Sequence, residues 1–334
     1  MEKISHQDAS IGLDASLKTR TMKKASIFLI FLLPLVLLLY WEGFPYYDRD
    51  LPVQEEFESM DPQQMKGQEN LYIVFLNGLG CYSDGSRFNN MGFHEIRKAL
   101  TRVGYRYYDD RLLQYSYLGG QIRQDQWYPR KYNPRDTGQP IQVSVQSLEW
   151  MISEFSRVHP EAQFLLVGHS LGGRIALDFV SKTSQENRER IEGVITLNSP
   201  LLGSNVPLPA FVMRILEFGG HIFSAPVVKQ LLWEFRDSPE FVEAKREMIE
   251  ALQAEGLRVA TFSTKSDVVV PTFTACLFND QGEPLTEGYV IPGGRFFHRD
   301  LSGHMFILKH QEIQQYILSF FIEPENIAAN QSPL

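Results

Sequence analysis

The chain has 334 residues, 43% of them hydrophobic and 22% charged, a balance that supports a sizeable buried core. Its formal net charge of −8 argues against a nucleic-acid partner, because phosphate binding draws on clustered lysine and arginine. The two cysteines, Cys81 and Cys276, have no metal-type spacing, and no His-Glu-x-x-His pattern occurs, so no metal is expected.

The first element is apolar. "ASIFLIFLLPLVLLLYW" (25–41) carries no charge, and as a helix it spans about 26 Å, slightly short of a ~30 Å hydrocarbon core. Tyr40 and Trp41 suit a membrane interface. Lys18, Arg20, Lys23 and Lys24 precede it, whereas Glu42, Asp48, Asp50, Glu55 and Glu56 follow. Positive flanks stay cytoplasmic, which predicts a cytoplasmic tail (1–24), a transmembrane anchor (25–41) and an extracytoplasmic remainder. A cleaved signal peptide is the competing reading, since Ile27–Leu39 fits an h-region. Against it, no small-x-small site follows, and a buried hairpin is a third option. Residues 42–69, rich in Pro, Gln, Glu and Asp, read as a polar linker.

From residue 70 to about 323, strands alternate with helices, which predicts a mostly parallel central sheet with helices on both faces. "LYIVFLN" (71–77) is a strand, "FHEIRKALTRVG" (93–104) a helix and "RLLQYSY" (111–117) a strand. A long loop leads to a helix around Val145–Phe155. Phe164–Val167 is then a buried strand, and Arg174–Val180 a helix. Between them lies Gly168-His169-Ser170-Leu171-Gly172, a G-x-S-x-G pattern. Such a turn strains the serine backbone and presents its hydroxyl at a helix N-terminus.

"GVITLNSP" (193–200) is the next strand. Residues 203–236 interrupt the pattern with apolar side chains such as Phe218, Phe223 and Trp233. A mobile lid over the site and a fixed helical cap both remain open. A helix over 238–256, with Ser238 as N-cap and Gly256 as stop signal, completes this lid or cap region. "LRVATFS" (257–263) and "GYVIPG" (288–293) are strands, "MFILKHQEIQQYILSFF" (305–321) closes the domain, and 324–334 is a tail.

A serine hydroxyl needs a base, and a histidine base needs a carboxylate to fix its tautomer. In this kind of sheet the expected order is Ser, acid, His. Asp267 lies in "STKSDVVVP" just past a strand end, and His304 in "DLSGHMFIL" before the closing helix. Asp178 is disfavoured because it falls on the helix after Ser170, and His310 because it falls inside the closing helix. His298 follows two phenylalanines, and His169 is expected to point elsewhere on the turn. The oxyanion donors expected are the N–H of Leu171 and, from the glycine-rich "LNGLGCYS" loop (76–83), that of Leu79. Cys81 and Cys276 follow loops at the same end of the sheet, so either a disulfide or two free thiols is open.

"IVFLNGLG", "FLLVGHSLGGRIAL", "VITLNSPLLGS", "STKSDVVVP" and "SGHMFIL" span about residues 71–322. On these stretches the chain resembles a serine hydrolase of the α/β-hydrolase superfamily, on its lipase/esterase side. "GHSLGG" followed by a strand ending in Asn-Ser-Pro is similar to the branch of bacterial lipases and GPI-inositol-deacylase-like proteins. Asn77-Gly78 departs from the His-Gly of many such enzymes. The resemblance implies a cofactor-free hydrolysis of carboxylic esters, lipid-like in view of 203–236, through an acyl-enzyme on Ser170. A thioesterase, amidase or acyltransferase would use the same residues, and a catalytically silent, membrane-tethered binding module is the non-enzymatic alternative.

Overall fold

A computed structural model describes residues 69–204, 225–237, 239–265, 267, 269–279, 281–291 and 303–321. All of these belong to the compact unit Tyr47–Leu334, and the unit Met1–Tyr46 lies outside them, as do the predicted tail, anchor and most of the linker.

Among the described residues six strands form one sheet, in the order β2-β1-β5-β6-β7-β8, and every pairing is parallel. They are β1 (Leu71–Leu76), β2 (Leu112–Gln114), β5 (Gln163–His169), β6 (Ile191–Leu197), β7 (Arg258–Thr264) and β8 (Val290–Ile291). Alternate side chains leave opposite faces of a strand. Ile73 and Phe75 of β1 therefore join one core, with Ile96 and Leu100 of α1 (His94–Leu100) and Ile313 and Ile317 of the closing helix (Gln311–Ser319). Val74 and Leu76 join the other, with Leu148 and Ile152 of α2 (Ile141–Val158) and Ile175 and Phe179 of α3 (Leu171–Lys182). Two apolar faces cover the sheet, as a buried parallel sheet requires.

The predicted strand over 111–117 shortens to three residues, and the loop after it contains an antiparallel hairpin, β3 (Gly120–Arg123) and β4 (Gln126–Pro129). Gln124 and Asp125 turn it with φ of 49° and 59°. A short helix α4 (Gln185–Arg188) precedes β6.

The apolar insert is described only in part, since residues 205–224 lie outside. Its remainder forms α5 (Pro226–Asp237), and α6 (Pro239–Ala254) follows, ended by Gly256 at φ +90°. Val227, Val228 and Leu231 of α5, with Ile249 and Leu252 of α6, are buried in the core of α2 and α3. A buried ion cluster ties these helices together. Arg174 of α3 donates from Nε to Asp178 at 3.0 Å and from its two terminal nitrogens to Glu234 of α5 at 2.7 and 3.0 Å, while Lys245 of α6 donates to Asp178. In the described part, then, α5 is packed on the core. Trp233 is the exception among its large apolar residues, 61% exposed.

After β7 come α7 (Thr272–Ala275) and β8, and the chain closes with a 3₁₀ turn (Phe306–Lys309) and α8 (Gln311–Ser319). His310 is the N-cap residue of α8, outside the helix interior where the sequence pattern had placed it, because the 3₁₀ turn breaks the run. Among the described residues no helix is long and apolar enough to cross a membrane.

Candidate active site

Ser170 lies between β5 and α3, at φ 54° and ψ −129°. A non-glycine residue with positive φ outside the left-handed helical region is strained, at a cost of about 1–3 kcal/mol. The surroundings enforce it. The Ser170 N–H donates to the Leu197 carbonyl at 2.9 Å, and its own carbonyl accepts from Gly173 at 3.1 Å. A Cβ on Gly168 would collide with the Gly173 backbone, so the turn closes only with glycine at both positions.

The loop after β1 lies directly against this serine. A Cβ on Gly78 would stand 2.6 Å from the Ser170 Cβ and 3.0 Å from its Oγ. Two partners hold the loop: the Tyr117 hydroxyl donates to the Asn77 carbonyl at 2.8 Å, and the Gly80 N–H donates to the Thr137 hydroxyl at 2.9 Å. Leu79, the donor expected from this loop, lies between Gly78 and Gly80. Leu171 opens α3, and the first N–H groups of a helix have no intrahelical acceptor.

Asp267 and His304, 37 residues apart, meet here: Nδ1 of His304 lies 2.7 Å from Oδ2 of Asp267. The other carboxylate oxygen of Asp267 accepts from the N–H groups of Val269 and Val270 at 2.8 and 3.0 Å. The carboxylate side chain is fully buried and the imidazole 11% exposed. A carboxylate on Nδ1 makes that nitrogen the N–H, so Nε2 is left to accept a proton.

Two residues have partners that their sequence positions did not suggest. His169, expected to point away, reaches the His304 loop: its Nε2 donates to the His304 carbonyl at 3.0 Å. Burial first, and the His304 ring beside it, push the His169 imidazole down to about 3, so it is neutral. Asn198, just after β6, donates from Nδ2 to the same carbonyl at 2.9 Å. Asp178 lies in the ion cluster, and His298 lies outside the described residues. Cys81 and Cys276 are both free, so the disulfide is not formed. The Cys276 thiol donates to the Thr261 carbonyl, and burial raises both thiols, Cys81 to about 11 and Cys276 to about 12. Among the described residues no group of histidine, cysteine or carboxylate side chains could hold a metal ion.

A strained serine between a parallel strand and a helix, with an acid and a histidine carried by later loops, is an arrangement of one fold. The hydrolase family model described as serine aminopeptidase, S33, matches residues 135–270, which include Ser170 and Asp267. The chain has an α/β-hydrolase fold. No curated protein matches it in sequence. Among solved structures, the chain is similar to a lipase-esterase related protein from Clostridium acetobutylicum, with 12% identity, a TM-score of 0.42 and coverage of 79% of this chain and 98% of that one. A carboxylesterase structure from Nitrososphaera gargenis gives 15% identity and a TM-score of 0.43, covering 75% and 90%. A bromoperoxidase from Bacillus anthracis gives 17% and 0.43, covering 75% and 91%.

Proposed function

We propose that this α/β-hydrolase is a membrane-anchored carboxylic-ester hydrolase that prefers lipid-like esters and works through an acyl-enzyme. The observation that carries the reading is the buried Asp267–His304 pair, 2.7 Å apart, joined through the His304 carbonyl to the residue before a strained Ser170. Ser170 Oγ attacks the acyl carbon while His304 Nε2 takes its proton, and Asp267 stabilises the imidazolium. The Leu171 and Leu79 amides receive the oxyanion. His304 returns the proton to the leaving alcohol, and water, activated in the same way, releases the acid. No cofactor enters these steps.

The apolar composition of 203–236 supports a lipophilic acyl group, since each buried methylene contributes about 0.8 kcal/mol. Residues 25–41 support an anchor that holds the domain, on the outer side, close to such substrates. Cleavage of peptides from a free amino terminus is the alternative that the matched family's description raises.

A fluorophosphonate probe should label the wild-type chain and leave Ser170→Ala unlabelled. With p-nitrophenyl esters from acetate to palmitate, kcat/KM should rise with chain length. Ser170→Ala and His304→Ala should each lower turnover by about 10⁴–10⁶-fold, and Asp267→Asn less. A wild type that cleaves aminoacyl anilides but no ester would overturn the reading.

A further inference from the structure

One carbonyl oxygen in this site carries two buried donors. His304 O accepts from His169 Nε2 at 3.0 Å and from Asn198 Nδ2 at 2.9 Å. His169 is the residue immediately before the nucleophile and the last of strand β5. Asn198 has a different connection. Its amide oxygen accepts from the Thr264 N–H at 2.7 Å, and its Nδ2 also lies 3.2 Å from the Thr264 hydroxyl. The Thr264 carbonyl in turn accepts from the Asp267 N–H at 3.0 Å, which begins the acid's turn. Asn198 takes a φ of 46°, the left-handed region that asparagine tolerates better than most residues.

The backbone of His304 is therefore registered against the nucleophile's strand on one side and the acid's turn on the other. Both bonds are long-range, spanning 135 and 106 residues. We propose that His169 and Asn198 are positioning residues, which hold His304 by its own carbonyl where its imidazole serves Ser170 and Asp267 together. Neither touches the reacting atoms. The inference rests on the reading of Ser170, Asp267 and His304 as a triad.

The test uses the full-length chain, with three readouts: the rate of fluorophosphonate labelling at Ser170, kcat and KM for a p-nitrophenyl ester, and Tm. His169→Leu removes the donor and keeps bulk, and Asn198→Asp keeps shape but loses the donor to His304. Each should lower the labelling rate and kcat by about 10–100-fold, the scale of a small misplacement, with little change in KM. His169→Gln, whose amide nitrogen has similar reach, should recover most of the rate. The double variant should fall by less than the product of the singles, because the two donors share one acceptor. Labelling at the wild-type rate in both single variants overturns the proposal, as does a His169→Gln as slow as His169→Leu. Should His169→Leu not fold, Asn198→Ser carries the same expectation, with the same overturning result. A wild type that labels at Ser170 yet cleaves no ester removes the ester reading and leaves this proposal standing.

Discussion

His169 also ties the site to pH. Its folded value of about 3 lies below the ~6.5 of an exposed imidazole, so between these values the unfolded chain binds the proton that the folded one excludes. Stability from this group is complete above about pH 6.5 and is lost as the pH falls toward 3, at up to about 1.4 kcal/mol per pH unit. Urea midpoints at pH 7, 5.5 and 4 should fall more steeply for the wild type than for His169→Gln, which has no imidazole to protonate. Parallel curves would show that another group controls the acid limb. Ser170 was legible in the sequence because its signal is local: an apolar strand, a serine among glycines, then a helix. Asp267 and His304 were legible through chain order and loop position. The partners of His169 and Asn198 were not, because bonds across 135 and 106 residues leave no mark on nearby spacing.

Among the elements, α5 most changes the reading of the insert. Its apolar content suited a lid and a cap equally, and composition cannot separate them. What weighs toward a cap for α5 is Glu234 on the Arg174 fork, on a helix that also buries Val227 and Leu231. Opening this helix would strip a buried guanidinium of one of its two carboxylate partners. Glu234→Ala should therefore cost about 3–5 kcal/mol, read as a lowered urea midpoint. Arg174→Met with Glu234→Leu should recover part of that loss, because no charge is then stranded by the second change. If Glu234→Ala unfolds with the wild-type midpoint, the tie is not structural. The β3–β4 hairpin escaped the sequence for a different reason. Gln121 and Arg123 alternate with partly buried neighbours on a two-stranded ribbon, and so many polar side chains read as loop. The short β2 was overread because the buried aromatics of Tyr115 and Tyr117 continue its apolar pattern beyond the paired residues.

For the molecule as a whole, the proposed anchor makes a separate prediction. The full-length chain should remain with membranes through alkaline carbonate extraction, and a chain beginning after residue 45 should be released. Release of both would remove the anchor and leave the active-site reading untouched. The long-range closure at His304 has a further consequence, for the chain during its own synthesis. The nucleophile and its strand emerge well before the base: at about 5–20 residues per second, the interval from Ser170 to His304 takes about 7–27 s. Through that interval the strained turn lacks its base, and until Asp267 emerges its acid as well, and a chain cut short before His304 never acquires the base. On the proposed reading, a nascent or truncated copy is thus inert toward ester substrates. Completion of translation itself would then arm the site.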